Sequence, residues 1–382
     1  MPLERRPPRL GIVGGGQLAR MMIPPANRLG AEVTVLERSP GSPASLAGAR
    51  EVIGDWDDPE TIRRFAAGLD ALTLDHEFVD AAGLAAVEAD GVRVRPGSAA
   101  LRAIQDKLVQ KQTLEAAGLA VAPFRAVGSP MELVEAGRAL GWPVLLKARR
   151  GGYDGRGNRL VVGPEDVADA FTAFEGRALY VEGFVRFRRE LAVMVVRDDA
   201  GQIVVYPPVF TLQRDNICHE VHVPSDAGDL PVALARLAAE AFGVVGALGV
   251  ELFEAEDGAI LVNELAPRPH NSGHYTIEAS ITSQFENHVR AVLGLPLGDP
   301  SLRVGAAVMV NLLAGGDGPG HPAGLDHALA VPGAAVHLYG KREARRGRKM
   351  GHLTVTGDAL DDALGLAREA AAALTFGGGS EG

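Results

Sequence analysis

A single cysteine, Cys218, occurs in the 382 residues of the chain. That excludes an internal disulfide and any two-cysteine metal or redox motif, and it suits a reducing compartment, so a cytoplasmic location is expected. Positive charge is in deficit: 38 lysines and arginines face 48 aspartates and glutamates, a net charge of −10, which argues against a nucleic-acid partner. No run of about 18 apolar residues exists, so no membrane contact is expected. The N-terminal apolar stretch is broken by glycines and Arg20, unlike a signal peptide. Scarcest of the charged residues is lysine, five of those 38: Lys107, Lys111, Lys147, Lys341 and Lys349. In so arginine-biased a chain a lysine marks a place that needs a compact point charge, or else a chance position on a helix surface. Lys147, inside an apolar segment, reads as the first kind and Lys111 as the second.

Glycine, by contrast, is abundant, with 48 residues in a chain that is 47% hydrophobic and 23% charged. This is the balance of a globular core with many tight turns or close backbone approaches, and the length implies two or three domains. Strand-like segments at Leu10 to Val13, Glu32 to Leu36, Glu51 to Ile53 and Ala71 to Leu74 alternate with helix-like ones, predicting a parallel α/β sheet within residues 1–100. One amphipathic helix is expected from Ser98 to Ala117, with Ser98 as N-cap and Gly118 as stop. From Val121 to about Gly294 the chain reads as α+β, with hairpins at Asp199-Ala200-Gly201 and Asp257-Gly258 and a helix from Leu230 to Phe242. A third segment, 301–382, opens on the apolar strand Gly305 to Leu313.

Three features carry chemistry. Gly14-Gly15-Gly16-Gln17-Leu18-Ala19 follows the first strand, and Glu37 closes the second, close to the dinucleotide-binding fingerprint. Such glycines let backbone amides approach a phosphate at a helix N-terminus, and a mononucleotide would serve equally. A tight turn that binds nothing is the plainer alternative. Pro24-Pro25 is expected to kink or end the helix that follows.

The second feature is the hairpin. If Asp257-Gly258 is a two-residue type I′ turn, Glu251 and Glu264 face each other, with Phe253 and Val262 on the same face. Opposed carboxylates repel, and a proton or a divalent cation relieves the repulsion. Mg²⁺, which takes one or two carboxylates plus substrate phosphates, fits best; two ordinary glutamates on a solvated face are the alternative. Third, the segment Val144 to Ala148 leads into Arg150-Gly151-Gly152-Tyr153-Asp154-Gly155-Arg156-Gly157-Asn158 and a strand from Leu160 to Val162. A glycine-rich tip holding Tyr153, Asp154 and Arg156 suggests a lid that closes on charged substrate groups, or simply a flexible hairpin. It is not a Walker A loop, since no GK[ST] follows.

Five ordered strings narrow the reading: GGGQL at Gly14 to Leu18, KARRGGYDGRG at Lys147 to Gly157, NELAPRPHNSGHYT at Asn263 to Thr276, TSQFENH at Thr282 to His288 and GRKMGH at Gly347 to His352. With them the chain resembles the 5-(carboxyamino)imidazole ribonucleotide synthases of the ATP-grasp superfamily, from about residue 10 to residue 355. The resemblance implies a Rossmann-like pre-ATP-grasp domain at 1–100, an ATP-grasp domain at 101–300 with a lid at about 118–183, and a small C-terminal domain at 301–382. It implies ATP-dependent carboxylation of aminoimidazole ribonucleotide by bicarbonate through carboxyphosphate, in purine biosynthesis. Mg²⁺ is the implied ion, a homodimer the implied assembly, and neither flavin nor nicotinamide is expected.

By the same resemblance Lys107 and Lys147 contact ATP phosphates, with Gly152, Tyr153, Asp154, Gly155, Arg156, Gly157 and Asn158 closing over them. Glu182, Gly183, Phe184 and Val185 hold adenine, Glu190 the ribose, and Asn263, Glu264 and Glu251 complete the magnesium-nucleotide site. Arg268 and His270, with Tyr153, Asp154 and Arg156, are the implied catalytic groups. Gly15, Gly16, Gln17, Leu18, Glu77, Asn271, Ser272, His274, Lys341 and Arg348 receive the ribonucleotide and the bicarbonate-derived group. Where the family carries two glutamates, this chain has Thr73-Leu74-Asp75-His76-Glu77, so only Glu77 carries over. Thr211, Gln213 and Asn216 stand where the family has Asn, His and Gly, which weakens a nucleotide contact by Gln213. Other classes are a formate-dependent ribonucleotide transformylase, an oxidoreductase built on the Gly14 turn, and a catalytically silent nucleotide sensor.

Overall fold

The structure, a computed structural model, describes residues 6–152 and 157–378. Five short strands build the N-terminal sheet: β1 (Arg9–Val13), β2 (Glu32–Glu37), β3 (Arg50–Ile53), β4 (Ala71–Leu74) and β5 (Arg93–Val94). All pair in parallel in the order β3-β2-β1-β4-β5, as alternating strands and helices require. The helix Gln17–Arg28 runs on through Pro24 and Pro25, so the prolines do not end it. Both prolines lie late in the helix, and the Pro25 carbonyl still accepts from the Leu29 N–H at 3.0 Å. Met22, Ile23 and Ala26, all buried, hold this face against the first core.

The expected long helix is two helices, Ser98–Gln105 and Lys107–Ala116. Asp106 interrupts them in extended backbone (φ −93°, ψ 100°) and caps the second helix at the Val109 N–H. Its carboxylate also accepts two hydrogen bonds from Arg149, at 2.9 and 2.6 Å. A short acid that can cap a helix and bind a guanidinium together competes with helix continuation. Ser98 is not the N-cap either: Gly97 is, and the Ser98 N–H donates to Glu88 at 2.9 Å.

β6 (Phe124–Val127), β7 (Val144–Ala148), β8 (Asn158–Val161) and β9 (Leu179–Gly183) form a small antiparallel sheet in the order β6-β9-β7-β8, with a core of its own around Leu133, Leu146 and Val181. The remaining strands are β10 (Phe187–Arg197), β11 (Ile203–Val205), β12 (Val209–Arg214), β13 (Ile217–Val223), β14 (Gly246–Ala255), β15 (Ile260–Ala266), β16 (Ala306–Leu313), β17 (Gly318–Pro319), β18 (Ala334–Leu338), β19 (Glu343–Ala344) and β20 (Lys349–Gly357). All but β17 and β19 join one nine-stranded sheet, β15-β14-β10-β12-β13-β16-β20-β18, with β11 beside β10. The sheet therefore continues past residue 300 into the third segment. The helix Leu230–Phe242, as read from the sequence, packs Ala235, Ala238 and Phe242 into the core beneath β10 and β14.

Candidate functional site

The hairpin of β14 and β15 puts Glu251 and Glu264 opposite each other, as expected, but by a different route. The turn holds three residues, Glu256 to Gly258, closed by Ala255 N–H to the Ala259 carbonyl at 2.8 Å and Gly258 N–H to the Ala255 carbonyl at 2.9 Å. That offset would misalign the glutamates. A bulge restores them: Leu252 pairs with Val262, and Glu251 with Glu264, leaving Asn263 extra. The bulge also re-aims side chains. Asn263 and Glu264 both line one cavity while Val262 enters the core, so Val262 lies on the opposite face from the one expected.

The bulged strand is held by the helix Lys107–Ala116. The Gln110 side chain accepts the Leu265 N–H at 3.2 Å, and Lys111 Nζ donates to the Val262 carbonyl at 3.3 Å. Lys107, first in that helix because of the break at Asp106, donates from Nζ to Glu264 Oε1 at 2.6 Å. Lys111 is no surface accident. It is 2% exposed and stands 3.2 Å from Glu182 Oε1. Lys147 Nζ donates to Glu182 Oε2 at 2.7 Å and the Tyr180 hydroxyl to Glu182 Oε1 at 3.0 Å. Burial opposes the charge on Glu182, yet Lys111 and Lys147 overcome it and hold the carboxyl down at about 2. The Glu182 carboxylate is thus engaged within the protein by two ammonium groups and a hydroxyl.

The cavity, about 370 Å³, lies between the small sheet, the helix Lys107–Ala116 and the hairpin. It brings together Lys107, Lys147, Gly152, Asn158, Gly183, Phe184, Val185, Glu190, Gln213, Glu251, Asn263 and Glu264 with Glu77, Arg268, His270 and Asn271. Gln213, whose contact was in question, does line it. Burial raises the Glu190 carboxyl to about 7. Burial, then the charges of Glu264 and Glu190, push Glu251 upward too. Two carboxylates on one wall, one driven toward protonation in part by the other, fit a divalent cation. Among the described residues no cluster of three or more His, Cys, Asp or Glu could hold a metal alone; an ion here would draw its remaining ligands from outside the protein, as Mg²⁺ with phosphates does.

Across the cavity Arg268 grips Glu77 through Nε and Nη2. Burial disfavours the Glu77 charge, but Arg268 prevails and holds it at about 2. Gly249 allows the His270 ring to lie on β14: a Cβ there would stand 2.7 Å from the His270 Cβ. His270 Nε2 is 3.4 Å from Glu251 Oε1, and Nδ1 is 2.9 Å from the Ser272 hydroxyl. Burial and then Arg268 lower His270 to about 3, so its ring is neutral. Asn271 exchanges two amide hydrogen bonds with Asn311, at 2.8 and 2.6 Å.

Several expected contacts lie elsewhere. His274 is 1% exposed and packs at a tilt against the rings of His352 and Phe285, away from the cavity lining; Ser272 supports His270 from a side recess. Neither lines the main cavity. Lys341 donates to the Lys349 carbonyl at 2.7 Å and Arg348 to the Glu343 carbonyl at 2.8 Å, and neither lines the cavity. Lys349 does; sequence reasoning passed over it, although the scarcity of lysine was the signal. At the N-terminal turn the Gly15 N–H donates to Glu37 at 2.9 Å, and Asp75 accepts from Gly16 at 3.2 Å and Ala19 at 2.7 Å. Two carboxylates thus accept from the amides that the sequence reading offered to a phosphate. Glu37, so engaged, is also not free for a dinucleotide ribose. Tyr153, Asp154, Gly155 and Arg156 lie outside the described residues.

Family models match three stretches: a ribonucleotide synthetase preATP-grasp domain at residues 8–105, an ATP-grasp domain at 112–285 and a phosphoribosylaminoimidazole carboxylase C-terminal domain at 307–365. The chain is 46% identical to the N5-carboxyaminoimidazole ribonucleotide synthase of Mycobacterium tuberculosis, over 98% of this chain and 90% of that one. It is similar to the solved N5-carboxyaminoimidazole ribonucleotide synthetase of Thermotoga maritima, with TM-score 0.88 and 39% identity over 97% of this chain and 100% of that one. An Aspergillus clavatus N5-carboxyaminoimidazole synthase, solved with ADP and 5-aminoimidazole ribonucleotide, matches at TM-score 0.87 and 36% identity over 95% and 98% of the two chains.

Proposed function

The chain belongs to the N5-carboxyaminoimidazole ribonucleotide synthase family of ATP-grasp ligases, and from that premise we propose that it carboxylates 5-aminoimidazole ribonucleotide with bicarbonate, turning ATP into ADP and phosphate. The observation that carries the reading is the cavity itself, where two lysines and two opposed carboxylates meet the Glu77, Arg268, His270 and Asn271 group.

In this mechanism a bicarbonate oxygen attacks the γ-phosphorus, ADP leaves, and carboxyphosphate forms. The ribonucleotide amine then attacks the carboxyl carbon, phosphate departs and the nitrogen loses a proton. Lys107 and Lys147 orient and neutralise the ATP phosphates, which is most of what phosphoryl transfer asks of a protein. Phe184 and Val185 cover adenine and Glu190 meets the ribose. Glu251 and Glu264, with Asn263 beside them, would hold Mg²⁺, which supplies charge neutralisation at the β- and γ-phosphates when bound. Arg268, fixed by Glu77, faces the bicarbonate-derived anion, and neutral His270, oriented by Ser272, lies beside it. Lys349 adds positive charge at the same end. Gln17 and Leu18 are assigned to the ribonucleotide, and Lys341 and Arg348 to its phosphate. Tyr153, Asp154 and Arg156 would close the site, since carboxyphosphate must be kept from water. The domain limits at residues 100 and 300, a homodimer and a cytoplasmic location are part of the same proposal; among the described residues no helix is long and apolar enough to cross a membrane.

The test is ADP and phosphate release with each substrate omitted in turn. Release that needs bicarbonate supports the reading; release driven by formate in its place overturns it.

A further inference from the structure

The buried group behind Lys147 contains one more charge than its contact with ATP requires. Glu182 is 4% exposed and binds two ammonium groups, Lys147 at 2.7 Å and Lys111 at 3.2 Å. The two lysines are not equivalent. Lys147 lines the cavity, whereas Lys111 is 2% exposed, does not line it, and is anchored on its other side to the Val262 carbonyl at 3.3 Å. A nucleotide can therefore reach Lys147 and not Lys111. Without Lys111, a Lys147 that turned from Glu182 to a phosphate would leave Glu182 as a buried carboxylate with only the Tyr180 hydroxyl, at 3.0 Å. An unpaired buried charge is strongly unfavourable, so without a second cation Lys147 would stay locked to its acid.

We propose that Lys111 is a positioning residue: the standing counter-ion of Glu182, whose presence leaves Lys147 able to exchange that carboxylate for the phosphates of ATP. The inference rests on reading Lys147 as a phosphate ligand. Lys111 also joins two bodies that must meet at the nucleotide, because Glu182 lies on β9 of the small sheet and Val262 on β15 of the hairpin that carries Glu264.

The test is steady-state kinetics of the full chain with three variants. Lys111→Met should raise the KM for ATP roughly tenfold, the loss of about one charge-assisted hydrogen bond, while kcat at saturating ATP stays within about threefold. A purely structural role would instead lower the melting temperature and leave the KM of the folded fraction alone. The double variant Lys111→Met/Glu182→Gln removes the acid that traps Lys147, and should bring the KM back down from the Lys111→Met value by at least roughly threefold. An unchanged KM in Lys111→Met, or a double variant no better than the single, overturns the proposal. If Lys111→Met alone does not fold, the double variant, which removes one cation and one anion together, is compared with Lys147→Met: a lower KM supports the proposal and an equal one overturns it. Should Lys147→Met itself leave the KM for ATP unchanged, the phosphate reading of Lys147 fails first and takes this proposal with it.

Discussion

Two regions of the molecule set polar groups where a phosphate or its counter-ion would fit, and they are completed in opposite ways. At the turn after β1 the amides of Gly15, Gly16 and Ala19 already have acceptors in Glu37 and Asp75. On the β14–β15 hairpin the acids outnumber their partners: Lys107 answers Glu264, while Glu251 meets a neutral His270. The first arrangement is a closed joint and the second an open valence. Glycine and acid occur in both. What separates the two is whether the chain supplies its own counter-charge.

That contrast can be broken experimentally at either end. The largest effect belongs to the hairpin: Glu264→Gln keeps the shape, removes a charge, and should lower kcat by roughly 100- to 1000-fold, as loss of a group placed for transition-state charge does. A variant that keeps most of the wild-type turnover would make the hairpin acids ordinary. Next comes acid stability, from the other side of the cavity. Glu77 titrates at 4.5 when unperturbed and at about 2 in the fold, so its ionised form stabilises the protein above pH 4.5 and that contribution disappears as pH falls toward 2. Denaturation across that window should show a loss on the order of 3 kcal/mol that Glu77→Gln lacks; equal slopes would deny the Arg268 pairing its strength. The turn is probed by Gly16→Ala. Its Cβ would lie 2.2 Å from Asp75 Oδ2, displacing the acid, and urea unfolding should register about 2 kcal/mol of destabilisation. Asp75→Asn keeps the side chain in place and should register only about 1 kcal/mol.

The sequence carried the parallel sheet, the helix Leu230–Phe242 and the opposed glutamates, because each rests on a local pattern: alternation, amphipathic spacing, a turn between two strands. The glutamates came out opposite although the turn is one residue longer than a type I′ turn, since the bulge at Asn263 cancels the offset. Nothing local announces that bulge. Its cause is distant: Gln110 and Lys111, from a helix far away in sequence, supply partners to the strand on either side of it. The same limit explains Lys111, whose amphipathic position says nothing about a carboxylate on β9. Asp106 as a helix break depends on Arg149, and the capped amides of Gly15 and Gly16 depend on acids from two later strand ends. Lys349 was within reach, one of five lysines beside a basic cluster, and only its place on the cavity wall separates it from Lys341.

The most direct trial of the open hairpin is calorimetric titration of ADP into the protein, with and without Mg²⁺, repeated on Glu251→Gln/Glu264→Gln. The account predicts that Mg²⁺ strengthens binding roughly tenfold or more in the native chain and has little effect in the double variant. A native chain that binds ADP equally well in chelator and in Mg²⁺ would contradict it.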